Sequence, residues 1–181
     1  IFQLASVSKV ITGVATLLLY EQGRLNIDSK VSDILADFPY KNVTVKHLLS
    51  HRSGLPNYTY FCGEFLGDTV CRLSNQQMLD IMIKHQPKPY LNPGLRFNYS
   101  NTNYALLALI VEKIAKKSYS TFLKEELFTP LGMNHSYTAL NIDSTKEHLT
   151  CGYTNKFCCV PNDRYDGVVG DKGVYTTTYD L

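Results

Sequence analysis

Ser6 and Lys9 are the residues in this chain best placed to do chemistry, because they stand three positions apart at the start of an apolar stretch. At that spacing on a helix both side chains lie on one face and touch. The first turn carries the positive end of the helix dipole and favours acids, so a lysine there is electrostatically misplaced. If Lys9 is also desolvated, both effects disfavour its charged form, and a lowered pKa is what an amine needs to take a proton from a neighbouring hydroxyl. Ser6 is then an activated nucleophile. The alternative is that Ser6 caps the helix and Lys9 reaches out to solvent. Ser6-Val7-Ser8-Lys9 is the one Ser-x-x-Lys in the sequence. A second feature, Tyr99-x-Asn101, follows the Asn92-Pro93-Gly94 turn and precedes an apolar run, which puts it on a loop at a helix N-terminus. Tyr153-Thr154-Asn155 repeats the pattern among cysteine-bearing turns.

The elements that position these residues are legible as periodicity. Val10, Ile11, Val14, Ala15, Leu17, Leu18 and Leu19 are too densely apolar for a single stripe and predict a central core helix within 1–23, apolar almost all round and buried, closed by a Gly23 C-cap. A short amphipathic piece at 30–35 and an extended 42–45 follow, then a helix over 45–50 capped by Thr44. The stretch 56–75 reads as a long loop forming one wall of a cleft. Ser74 caps a helix over 75–85, and further helices are predicted over 104–115 and 120–128. The remainder is rich in Gly, Thr and Tyr and predicts turns and short strands, ending in what reads as the cap of a further helix.

At 181 residues, 44% hydrophobic and 19% charged, the chain is sized for one domain with a real core. A net charge of +2 with no basic cluster argues against a nucleic-acid partner. No apolar run reaches the roughly 18 residues of a membrane span. His47 and His51 stand at i and i+4, but no carboxylate or third histidine accompanies them, so a capping role for His51 near a helix C-terminus is simpler than a metal, and neither metal nor cofactor is expected. Among the five cysteines, Cys62 and Cys71 share one loop and are placed to pair in an oxidising compartment, while Cys151, Cys158 and Cys159 leave at least one thiol over. Ile1-Phe2-Gln3-Leu4 reads as the end of a strand, and the chain as a fragment of a longer protein.

Four stretches in order, Ser6-Val7-Ser8-Lys9, Leu48-Leu49-Ser50-His51-Arg52-Ser53-Gly54-Leu55-Pro56, Pro93-Gly94 leading to Tyr99-Ser100-Asn101, and Pro130-Leu131-Gly132-Met133, resemble the serine β-lactamase and penicillin-binding protein superfamily. The nearest branch is that of class C β-lactamases, D-alanyl-D-alanine carboxypeptidases and serine esterases. The resemblance implies an α+β, β-lactamase/transpeptidase-like fold, here mainly its helical region (1–181) with most of the central antiparallel sheet missing. It implies that Ser6 is the acylated nucleophile, Lys9 its lysine, Tyr99 the tyrosine that exchanges protons with nucleophile and leaving group, and Asn101 the residue that binds a substrate amide. A phenol with an unperturbed pKa near ~10 works as a base only when a cation stabilises its phenolate, and Lys9 is the obvious supplier.

The substrates implied are a β-lactam, a D-Ala-D-Ala peptide or an ester, of small-molecule or peptidoglycan type, met outside the cytoplasm. The family's third motif, Lys-Thr-Gly or His-x-Gly, is absent from these residues; Lys172-Gly173 is the nearest approach, but Val174-Tyr175-Thr176-Thr177 looks like a stretch upstream of it. Without that strand and its oxyanion donor, typically worth about 100- to 1000-fold in rate, the 181 residues alone are expected to be inactive or nearly so, with an uncovered apolar surface that favours self-association. The rival reading is a non-catalytic binding or scaffold module on the same fold.

Overall fold

The computed structural model describes residues 1–66, 72–143, 148–156, 158–160 and 163–181. The elements are β1 (Phe2–Gln3), α1 (Ser8–Glu21), α2 (Val31–Ile34), α3 (Val45–Leu49), α4 (Tyr58–Phe65), α5 (Asn75–His85), α6 (Asn101–Ala115), α7 (Tyr119–Leu123), β2 (Tyr137–Thr138) and β3 (Val174–Thr176). The fold is β-lactamase/transpeptidase-like, rich in helix with one small three-stranded sheet.

The helix at the centre is α6 rather than α1. Its run from Ala105 to Val111 is buried all round, and α1, α2, α3, α5 and α7 all pack against it. Helix α1, expected to be buried on every side, is instead two-faced. Ser8, Lys9, Thr12, Ala15, Thr16 and Leu19 point inward, while Val10 and Leu17 are 64% and 47% exposed and Val7 and Val14 lie along the same outer stripe. The inversion is possible because the inward hydroxyls find partners. Thr12 Oγ1 donates to the Gly170 carbonyl at 2.6 Å and accepts the buried Tyr119 hydroxyl at 2.6 Å, and Ser8 Oγ accepts the Val174 amide at 3.1 Å. Val7, Val10, Val14 and Leu17 thus form an exposed apolar stripe within these residues.

Capping explains why the shorter helices start where they do. Thr44 and His47 form a reciprocal capping box on α3, Ser74 and Gln77 another on α5. The loop expected over 56–75 contains α4, capped by Asn57, because Tyr58, Phe61 and Cys62 present one buried face there. The expected Cys62–Cys71 pairing lies outside the described residues. Helix α6 begins at Asn101, three residues before its apolar run, and the helix expected over 120–128 starts at Tyr119 and ends in a π-helical turn, Lys124–Phe128. Among the described residues no helix is long and apolar enough to cross a membrane.

The sheet has strand order β1-β3-β2, both pairs antiparallel, with Phe2 opposite Thr176 and Tyr137 opposite Tyr175. Its function in the fold is to deliver the chain into α1: Val174 in the central strand accepts from the Leu4 amide at 2.8 Å while giving its own amide to Ser8. Gly170, at φ +99°, lets the segment before β3 lie against α6, where an added Cβ would stand 2.4 Å from the Tyr104 carbonyl oxygen and 2.8 Å from the Ala108 Cβ. Gly170→Ala is therefore expected to destabilise the fold by about 1–3 kcal/mol in urea denaturation, since backbone and side chain must both shift. A midpoint equal to that of the unaltered protein would contradict this close packing.

Candidate functional site

The nucleophile candidate sits on a strained corner. Ala5, with φ +44°, is a non-glycine residue in left-handed conformation, and the tight 3-10 turn Ala5–Val7 leads from it into α1. The Ser6 side chain does not cap the helix; it projects outward, exposed, at the mouth of the site.

Lys9 does not reach out to solvent. It is 7% exposed, and its ammonium nitrogen donates to the Asp171 backbone carbonyl at 2.7 Å and to Ser6 Oγ at 3.2 Å. Tyr99 closes the group from the other side, with its hydroxyl 3.1 Å from Ser6 Oγ and the Lys9 nitrogen 5.1 Å from the centre of its ring. The structure thus brings Ser6, Lys9 and Tyr99 into one hydrogen-bonded group, 93 residues separating the serine from the tyrosine.

Tyr99 is held by the segment in front of α6. Backbone bonds from Tyr90, Gly94 and Asn98 to the carbonyls of Gly54, Arg52 and His51 lace the two loops together. The His51 ring packs on the Tyr99 ring at 4.5 Å between centres. His51 is not a cap of the preceding helix, as its position suggested, because its Nδ1 is used elsewhere: it accepts the Ser100 amide at 3.3 Å and the Asn103 side-chain amide at 3.1 Å. With Nδ1 an acceptor, His51 is neutral, and burial, reinforced by the Lys9 charge, depresses its pKa to about 4. Asn103 in turn accepts from Ser53 at 2.5 Å, and Thr102 bridges the Pro56 carbonyl and the Tyr58 amide. Asn101 opens α6 two residues beyond Tyr99, with its Oδ1 buried and free of any hydrogen-bond partner.

Asp171 was not singled out by its residue type or spacing. It is 2% exposed; its Oδ2 accepts the Tyr58 hydroxyl at 3.0 Å, and its Oδ1 has no partner. Burial raises its pKa to about 6, opposed by the Lys9 charge and the Tyr58 hydrogen bond. Tyr153 takes no part in this network and pairs with Cys159 instead. Lys172 is engaged by Asp166 at 2.7 Å. His47 is spent on the Thr44 amide, and the described residues contain no group of three or more His, Cys, Asp or Glu placed to hold a metal.

A hydroxyl with an amine and a phenol both within hydrogen-bond reach of it forms the kind of site used by serine hydrolases. The chain belongs to the Beta-lactamase family, whose family model matches residues 1–181. It is 35% identical over 196 residues to Penicillin-binding protein 4* of Bacillus subtilis (strain 168), covering 100% of this chain and 43% of that protein. Among solved structures it resembles the octameric penicillin-binding protein homologue from Pyrococcus abyssi, with TM-score 0.79, 30% identity, and coverage of 98% of this chain and 42% of that one. It also resembles D-amino acid amidase from Ochrobactrum anthropi SV3 complexed with L-phenylalanine amide, with TM-score 0.79, 25% identity, and coverage of 99% and 53%. The chain therefore spans about half the length of the proteins it matches.

The two perturbed groups act in opposite directions on stability. Asp171 titrates at about 6 in the fold against an ordinary 3.8, so between these values the folded state keeps a proton the unfolded state has released, and stability falls as pH rises. His51 titrates at about 4 against 6.5, so in its window the unfolded state takes a proton the folded state refuses, and stability falls as pH drops. Each slope is at most one proton, ~1.4 kcal/mol per pH unit. Asp171→Asn removes only the first, and its urea midpoint is expected to fall more steeply than that of the unaltered protein as pH is lowered from 6.5 to 4. Parallel curves would contradict the assignment.

Proposed function

We propose that this protein is the catalytic part of a serine hydrolase that acylates Ser6 with substrates of the β-lactam, D-amino acid amide or peptide, or ester class. The observation that carries the reading is the position of Ser6 Oγ, 3.2 Å from the Lys9 amine and 3.1 Å from the Tyr99 hydroxyl, on a helix N-terminus. Both distances are in the range of proton transfer.

In this mechanism the Lys9–Tyr99 couple takes the proton of Ser6 as its Oγ attacks the acyl carbon. Tyr99, half-exposed at the mouth of the site, returns that proton to the leaving nitrogen or oxygen. Lys9, fixed by the Asp171 carbonyl, remains beside the reacting oxygens and offsets the negative charge that develops there. The Ser6 backbone N–H, in the first turn of a helical segment and so without an i−4 acceptor, is aimed to donate to the oxyanion. Asn101, at the start of α6 two residues beyond Tyr99, is the residue the family resemblance assigns to the substrate amide. Water then enters where the leaving group departed and releases the acyl group by the reverse proton path. The names of the relatives, a penicillin-binding protein and a D-amino acid amidase, support an acyl group bound through an amide or lactam.

The test is turnover of a chromogenic β-lactam, a D-amino acid amide and p-nitrophenyl acetate by the full-length protein. Hydrolysis of at least one is expected, absent in Ser6→Ala and reduced about 10²- to 10⁴-fold in Tyr99→Phe, the range of a general acid–base contribution. Hydrolysis that survives Ser6→Ala, or none of any substrate, would overturn the proposal; the second outcome would favour a binding module.

A further inference from the structure

We propose that Cys151 and Cys159 form a reversible dithiol–disulfide pair, a redox modification site that staples the hairpin next to the strand feeding the nucleophile. Three of the four described thiols, Cys151, Cys158 and Cys159, are exposed within nine residues of sequence.

The hairpin register separates them. Tyr153 stands opposite Cys159, with Val160 donating to the Gly152 carbonyl at 2.8 Å and Thr154 to the Cys158 carbonyl at 2.9 Å. Side chains alternate faces along each strand, so Cys159 shares the face of Tyr153 and Cys151, while Cys158 points to the other. Cys158 Sγ accordingly turns back toward the Lys156 carbonyl at 3.7 Å. Cys151 on the same face is the main influence that holds the Cys159 thiol above its ordinary pKa. Cys151 and Cys159 are thus diagonal neighbours on one face of the hairpin. Cys62 is of another kind: it is buried in α4, and burial pushes its thiol up to about 12, out of the reactive range.

The hairpin is joined to the site. The Thr150 amide and hydroxyl both donate to the Ile1 carbonyl, at 3.0 and 3.1 Å, and the Ile1 backbone nitrogen donates to the His148 carbonyl at 2.9 Å. Cys151 lines one cavity with Phe2, Gln3 and Tyr175, and Phe2 and Gln3 are β1, from which the chain enters the Ser6 turn. A cross-link at Cys151 therefore anchors the segment that borders β1.

The chemistry is thiol–disulfide exchange with a small disulfide such as oxidised glutathione. The Cys151 thiolate attacks one sulfur of the oxidant, forming a mixed disulfide and releasing one glutathione. Cys159 gives up its proton and attacks the Cys151 sulfur, forming the internal disulfide and releasing the second glutathione. Two protein thiols are oxidised and one disulfide is reduced to two thiols. Excess dithiothreitol reverses the sequence.

The experiment is incubation of the protein with oxidised glutathione, alkylation of remaining thiols under denaturing conditions, and tryptic mapping without reduction. Lys156 lies between the two cysteines, so cleavage there turns the internal disulfide into a cross-linked pair of peptides. The expected product links Cys151 to Cys159, with Cys158 and Cys62 alkylated, and it persists in Cys158→Ser. In Cys159→Ser the reaction is expected to stop at a glutathione adduct on Cys151. A Cys151–Cys158 link, or Cys151 and Cys159 both recovered alkylated after oxidation, would overturn the proposal.

Discussion

The structure depends on a lysine that has been taken inside. Burial of an ammonium is costly unless its protons find acceptors, and here the acceptor that meets Lys9 at 2.7 Å is a backbone carbonyl, that of Asp171, 162 residues along the chain. A carbonyl holds the amine in place without neutralising it. A carboxylate in direct contact would tie up the same protons in an ion pair and compete with Ser6 for them. The Asp171 carboxyl is turned away to Tyr58, so its charge is felt by Lys9 through the interior while the amine stays available to the serine.

Holding that carbonyl at that point explains features of the fold that otherwise look unrelated. The segment before β3 can lie along α1 and α6 only because Gly170 lacks a Cβ, and it is fastened by Thr12 on α1, by Asn75 on α5 through bonds to Val169, and by Val174 in the sheet. The same fastening accounts for the inverted character of α1. Its hydroxyls face inward because they grip this segment. The other half of the site is set by a different device, the lacing of the His51–Gly54 loop to the Tyr90–Asn98 loop, which presents Tyr99 to Ser6 over a neutral His51 ring. Two independently fastened halves meeting at one oxygen is what places three polar groups within 3.2 Å contacts on a largely open surface.

Much of this was legible in the sequence where the signal is local. Ser6 and Lys9 are three residues apart on one helix, and Thr44, Ser74 and the Pro93-Gly94 turn announce their elements by residue type alone. Tyr99 and Asn101 came through resemblance. The three-dimensional partners of those residues left no such trace. Nothing in Gly170-Asp171-Lys172-Gly173 shows that a carbonyl there meets Lys9, since a backbone acceptor has no residue type, and the stretch drew attention only as an approach to a lysine motif that is not present. Helix α1 is two-faced because the density of its apolar residues does not say which face the fold covers, and Thr12, Thr16 and Ser8 are the buried side of it. Helix α4 was hidden by Gly63 and by cysteines that read as loop residues.

The central claim is that Lys9, held by the Asp171 carbonyl, makes Ser6 reactive. Its most direct test is the rate at which a fluorophosphonate probe labels the protein, followed by intact mass and peptide mapping, in the unaltered protein and in Lys9→Met. The account predicts a single adduct on Ser6, formed about 10²-fold or more slowly when the amine is removed, within the range expected for a positioned proton acceptor. Labelling of Ser6 at an unchanged rate in Lys9→Met, or an adduct on another residue, would contradict it.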